Sequence, residues 1–217
     1  MIDYVMRHTD TVIGALSQHV MLALVPIILA VLISVPFGYL AVRLPRLYQP
    51  TLTTAGIIYS IPSLALFLII PGIIGTQVLS PLNIIIALTI YTAALLVRVV
   101  ADGLNSVDPS TKEAATAMGY RRLRRLFGVE LPMALPAMLA GLRFATVSNI
   151  SMVSVGALIG VGGLGALFTR GLQQRYPEQI MVGLILTVVL ALLCDLIIVL
   201  IQRWATPWAR ADTRKAA

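Results

Sequence analysis

Five stretches of this chain, about residues 20–42, 51–70, 82–100, 134–159 and 180–201, are almost free of charge. As a helix, each is long enough to cross a hydrocarbon core about 30 Å thick. A segment inside lipid has no water to satisfy its backbone, and an α-helix meets that demand within itself. The chain is therefore read as an all-α polytopic membrane protein of five spans. Its composition agrees: 59% of the 217 residues are hydrophobic and 12% charged, with mean hydropathy +0.93, far from the soluble range.

Charge then sets the orientation. With five spans the termini lie on opposite sides. Arg43, Arg46, Lys112, the arginines at 121, 122, 124 and 125, and the tail's Arg210, Arg214 and Lys215 share one side, while Arg7, Arg170 and Arg175 lie on the other. Lys and Arg accumulate in cytoplasmic loops, so the N-terminus is outside and the C-terminus cytoplasmic. The net charge of +7 thus reports sidedness, and no nucleic-acid partner is expected. Three regions follow: an outer segment 1–19, expected as a short amphipathic helix; a transmembrane domain 20–203; and a basic tail 204–217, with Trp204 and Trp208 near the interface. The first apolar run begins too far in, and is too long, for a cleavable signal. Pro26 and Pro36 are expected to kink the first span, and Ser60-Ile61-Pro62-Ser63 interrupts the second. The single cysteine, Cys194, excludes an intrachain disulfide.

One long segment is polar, residues 105–136, with the cytoplasmic loop proper at 105–133. Asp108 suits a helix N-cap and Pro109 the first helical position, with Ser110 and Glu113 offering a capping box one register on. An Ala-rich helix over 111–118 should end at Gly119, a left-handed cap. A second short helix carries Leu123, Leu126 and Phe127 on one face and the arginines around the rest, and Pro132 and Pro136 close the unit.

Glu113-Ala114-Ala115, three residues, Gly119, nine residues, then Val129-Glu130-Leu131-Pro132 resembles the EAA loop of ABC-importer permease subunits. The resemblance implies a type I ABC-importer permease fold, with residues 109–118 as the coupling helix docked on a cytoplasmic ATPase. Pro109, Lys112, Glu113, Ala114, Ala115, Met118 and Gly119 would then carry the coupling. Ile61-Pro62-Ser63-Leu64-Ala65-Leu66, the run from Leu131 to Arg143, and Gly160-Val161-Gly162-Gly163-Leu164-Gly165 are similar to the osmoprotectant subgroup, which imports glycine betaine, carnitine, choline or proline betaine. Methionine-type permeases share a similar glycine segment, so another small solute such as methionine is the alternative. The implied partners are an ATPase dimer, a second permease (identical or paralogous), a separate extracytoplasmic binding protein, and the lipid of a prokaryotic inner membrane.

No catalytic residue, metal site or cofactor is expected. His8 and His19 have no second ligand at suitable spacing, and no Walker-type G-x-x-x-x-G-K-[ST] occurs, so a partner would bind and hydrolyse ATP. The G-x-G-x-x-G at 160–165 lacks the strand and acidic residue of a dinucleotide site, and the sequon at Asn149 lies inside a span. A stand-alone channel or secondary transporter would favour ion-coupling carboxylates or inverted repeats; only Asp195 qualifies. Arg143 and Asp195 are intramembrane charges near the cytoplasmic end, expected to pair or to line a vestibule. Arg98 and Asp102 are spaced to bridge. Ser148, Asn149, Ser151 and Ser154 form one polar stripe, and Tyr59, Ser60 and Ser63 a second, with Thr89, Tyr91 and Thr92 in the third span. These stripes either line a solute path or hold helices together. Tyr59 and Tyr91 either pack or offer cation–π contact to a quaternary ammonium.

Overall fold

The computed structural model describes residues 2–208; Met1 and residues 209–217, among them Arg210, Arg214 and Lys215, lie outside the described residues. Helix follows helix throughout: α1 (Ile2–Arg7), α2 (Thr9–Arg43), α3 (Pro45–Ser60), α4 (Ser63–Ile74), α5 (Pro81–Asn105), α6 (Pro109–Ala117), α7 (Arg122–Arg125), α8 (Leu131–Gly156), α9 (Gly165–Gln173) and α10 (Pro177–Ala205). A π turn, Leu126–Glu130, joins α7 to α8.

Packing fixes the direction of each helix. Near its start α2 sets Leu22 and Ala23 against Ile84, Ala87 and Leu88 of α5 and Ile150 and Val153 of α8. Near its end, Val35, Tyr39 and Val42 meet Val100 and Leu104 of α5 and Ala134 and Met138 of α8. Thus α2 and α5 run parallel and α8 runs against both. At the start of α10, Val182 shares a cluster with Val12 of α2 and Leu167 of α9, and further along Cys194 packs on the central core. So α10 descends with α2.

Because α2 and α5 cross the same way, the chain between them must return. Only α3 and α4 are available, bent by 101° at the 61–62 break. The pair is therefore one broken span, completing five crossings. The cause is local. Pro62 lacks an N–H and disfavours the helical region for the residue before it. Ile61 is accordingly extended, with φ −69° and ψ 129°. Non-helical backbone at membrane depth persists only against protein or a wetted cavity.

Several expectations are corrected here. The second span is interrupted at 60–63 as expected, but its two arms, α3 and α4, extend beyond 51–70 at both ends. The first span is helical from Thr9, so the outer segment holds the short helix α1 and the first turns of α2, with Tyr4 and Val12 buried against Leu164, Leu167 and Val182. Pro26 and Pro36 lie inside α2, which stays helical past both, a continuity that a kink at either proline would leave intact. Pro132 and Pro136 do not close the polar loop. They sit in α8, Pro132 in its first turn and Pro136 inside the helix.

Small residues set the closeness of the helices, as expected where apolar surfaces gain little by leaving lipid. A Cβ on Gly38 of α2 would meet Val100 of α5 at 2.7 Å, and one on Gly141 of α8 would meet Val99 at 2.3 Å. Asn149, fully buried, donates to the Ala23 carbonyl at 2.9 Å and accepts from the Thr92 hydroxyl at 3.1 Å, tying α8 to α2 and α5.

On the outer side the glycine segment turns at Gly160 and Gly163, with φ of +86° and +75°. Gln18 Oε1 accepts from the Gly163 N–H at 3.0 Å, and His19 Nδ1 accepts from the Leu164 N–H at 3.1 Å. His19 Nε2 stands 3.0 Å from the Ile150 carbonyl. One ring nitrogen accepts and the other donates, so His19 is the neutral Nε2–H tautomer. It is a structural pin for this loop.

Gly141→Val should lower the unfolding temperature in detergent, by a strain of about 1–3 kcal/mol. Gly14→Val, where an added Cβ meets nothing within 4 Å, should not. Equal effects from the two would refute the packing role of Gly141.

Candidate functional site

The polar loop closes the cytoplasmic end of the bundle, and its own residues build it. Asp108 Oδ1 accepts from the Ser110 N–H at 2.8 Å and caps α6. Hydrogen bonds from Ser110 hold the Asp108 carboxyl below its ordinary pKa. Asp108 is thus the cap, in place of the Ser110–Glu113 box. The helix occupies 109–117, two residues earlier at its start than the expected 111–118. It ends in a left-handed corner: Gly119 has φ +83°, the Gly119 N–H bonds the Thr116 carbonyl, and the Tyr120 N–H reaches back to Ala115. That pair of bonds is the Schellman motif, which needs a residue without a Cβ penalty at its corner.

Two sides of α6 differ. Inward, Ala115 is buried, and the Lys112 ammonium donates to the Leu104 carbonyl at the end of α5 at 3.0 Å. A cation there also meets the negative end of the α5 dipole. Val107, just before α6, is buried in the cluster with Val100, Leu104, Leu126 and Ala134. Outward, Pro109, Glu113, Ala114, Met118 and Gly119 are exposed. Of the seven residues expected to couple, five face out, while Lys112 and Ala115 bind α6 to the bundle.

The expected second amphipathic helix is a single turn, α7, running through the π turn into α8. Of its three apolar residues only Leu126 is buried; Leu123 and Phe127 are 65% and 68% exposed, and Met118 is 70% exposed. The Arg124 guanidinium covers the Tyr120 ring at 4.9 Å. Large apolar side chains on a basic, water-facing loop mark a surface for another protein.

A charged cluster lies beneath. Glu130 is 4% exposed. Arg125 Nε donates to its Oε1 at 2.7 Å, and Arg43 Nη2, from the end of α2, stands 3.7 Å from the same oxygen. Arg125 Nη1 also donates to the Thr116 hydroxyl of α6 at 2.6 Å. Arg43 Nε donates to the Tyr39 hydroxyl at 2.9 Å. Sequence reasoning quoted Glu130 only as part of the motif. Its burial depends on Arg43, which is far away in sequence, as well as on nearby Arg125, so no local signal marked it.

Within the membrane, Arg143 and Asp195 form the expected pair, with two parallel bonds of 2.7 and 2.8 Å between α8 and α10. Arg98 and Asp102 approach to 3.8 Å on an exposed face. Tyr59 and Tyr91 come together beside the broken span, ring centroids 4.4 Å apart. Ser60 donates to the Gly56 carbonyl, Ser63 and Ser148 are half-buried, and Ser151, exposed, donates to the Val147 carbonyl. Asn149 spends its amide on helix contacts, as above. The neighbouring Ile58 and Ile90, with Phe37, Thr54 and Ala93, line a groove of about 440 Å³ between α2, α3 and α5.

Residues 27–211 match the family described as binding-protein-dependent transport system inner membrane component. The chain belongs to this family. Such a permease is a transmembrane subunit of an ABC importer in the inner membrane, working with a binding protein and an ATPase. Among relatives of this permease is the osmoprotectant import permease protein OsmW of Salmonella typhimurium, 34% identical over 95% of this chain and 97% of that one. Another is the carnitine transport permease protein OpuCD of Listeria monocytogenes, 29% identical over 95% and 92%. The choline transport system permease protein OpuBD of Bacillus subtilis is 28% identical over 98% and 93%. In three dimensions the permease resembles a chain of the MetNI methionine ABC transporter, with TM-score 0.80, 24% identity, and coverage of 92% of this chain and 98% of that one.

Replacing Asp195 by Leu leaves Arg143 charged and unpaired beside lipid. The single variants Arg143→Leu and Asp195→Leu should each lower stability in detergent more than the double variant does. A double variant as unstable as the two losses combined would refute the pairing.

Proposed function

We propose that this permease carries quaternary-amine osmoprotectants of the glycine betaine, carnitine, choline or proline betaine type into the cell. ATP is bound and hydrolysed by a partner ATPase pair that docks on α6, and this chain itself needs no cofactor. A second permease, identical or paralogous, completes the path, and a separate binding protein delivers solute at the outer face. The observation that carries the coupling reading is α6 itself. It is anchored from below by Lys112, Ala115 and Val107, and it presents Glu113, Ala114 and Gly119 outward beside exposed Met118, Leu123 and Phe127. A rigid, partly apolar knob of this kind transmits force when its partner contacts two permease states unequally. The solute class is supported by the osmoprotectant, carnitine and choline relatives. The likeness to a methionine transporter concerns the fold.

Within the membrane we assign the solute path to the broken span and its surroundings, Tyr59, Ser60, Ser63, Tyr91, Ser148 and Ser151, with Asn149 behind them as the brace. Paired tyrosine rings attract a cation without dehydrating a carboxylate to do so. Such contact contributes about 2 kcal/mol when the cation is desolvated, roughly thirty-fold in affinity.

Two experiments test these readings. Glu113→Lys and Gly119→Pro should still insert, yet cut uptake per ATP hydrolysed at least ten-fold. Proline cannot adopt φ +83°, so the corner of α6 would move. Normal transport by either variant contradicts the docking role. Tyr59→Leu and Tyr91→Leu should raise KM for glycine betaine several-fold while Tyr→Phe variants, which keep the ring, stay near normal. Equal effects of Leu and Phe would remove the cation–π contact.

A further inference from the structure

Glu130 lies where three elements meet, and its two arginines are not held alike. Arg125 grips Oε1 at 2.7 Å and is itself tied to Thr116 on α6. Arg43 stands back at 3.7 Å from that oxygen, and its buried Nη2 makes no hydrogen bond. Arg43 belongs to the last turn of α2, where its Nε is fixed by Tyr39. The joint between α7 and α8 is the π turn ending at Glu130. Such turns add one residue to a helical ring and recur at functional sites.

We infer that Glu130 is the positioning residue that transfers motion of α6 to the first span, by exchanging Arg125 for Arg43. Displacement of α6 draws Thr116, and with it Arg125, away from Glu130. The carboxylate stays buried and must remain paired, so it closes on the idle Arg43 nitrogen and pulls the cytoplasmic end of α2. Both states keep one full charge-assisted bond, so the exchange is nearly balanced and a modest bias from outside decides it. This rests on the reading that an ATPase moves α6.

The test uses the assembled importer in vesicles: this chain with its ATPase, partner permease and binding protein. The readout is uptake per ATP hydrolysed for the solute the unmodified chain imports, tried with glycine betaine, choline, carnitine and methionine. Arg125→Gln, Glu130→Gln and Arg43→Gln should each lower that ratio at least ten-fold. The Arg125→Gln/Glu130→Gln double variant should be no worse than either single, because both act through one bond. A normal ratio in Arg43→Gln or Glu130→Gln overturns the exchange, as do losses that multiply in the double. Thr116→Val sits on an exposed helix face and does not threaten folding. It should lower the ratio several-fold, and a normal ratio overturns the link to α6. If Glu113→Lys uncouples while Thr116→Val and Glu130→Gln do not, the exchange fails and ATPase docking stands. If Glu113→Lys also transports normally, docking itself fails.

Discussion

A polar group inside lipid has no water to fall back on, and the bundle is arranged around that fact. Asn149 joins three helices because an amide in hydrocarbon must find partners for both ends. His19 holds the glycine segment to α2 and α8 with each ring nitrogen used once. Arg143 and Asp195 tether α10, on which Leu184, Val188, Leu192 and Leu196 are all exposed. Among the described residues, the buried side-chain nitrogen and oxygen atoms left without a hydrogen bond are Arg43 Nη2 and Ser154 Oγ. The first of these lies beside the joint that has to move.

The same constraint explains what could be read from the sequence. Spans announce themselves by length and lack of charge, because lipid demands both. Sidedness follows from arginine counts. The loop helix was legible in its caps, since Asp108, Pro109 and Gly119 each have a local backbone reason to be there. The Arg143–Asp195 pair was legible because two lone charges in apolar runs have few alternatives.

Other features were hidden for an equally physical reason. A membrane helix is apolar on every side, so periodicity cannot say which face packs. That is why Asn149 could be read as path or as glue. Leu126 is buried while Leu123 and Phe127 are not because the expected second helix is a single turn before the π turn, so the three do not share one face. His19 looked isolated because its partners are backbone groups more than a hundred residues away. Glu130 and Arg43 belong to one cluster only after α2 and α5 are known to run parallel. The bend at Pro62 was marked in the sequence, but its size depended on what α3 and α4 pack against.

On the proposed function, α6 is the place where a soluble ATPase grips a lipid-embedded bundle. In a chain carrying Cys194→Ser, Ala114→Cys places a single thiol on the outward face of that helix. With the importer assembled, a short bifunctional thiol reagent should join this residue to a cysteine set in the ATPase groove, and membrane-impermeant reagents added outside the cell should leave it untouched. Modification from outside, or a thiol that joins no other subunit in the intact assembly, would contradict the account at its centre.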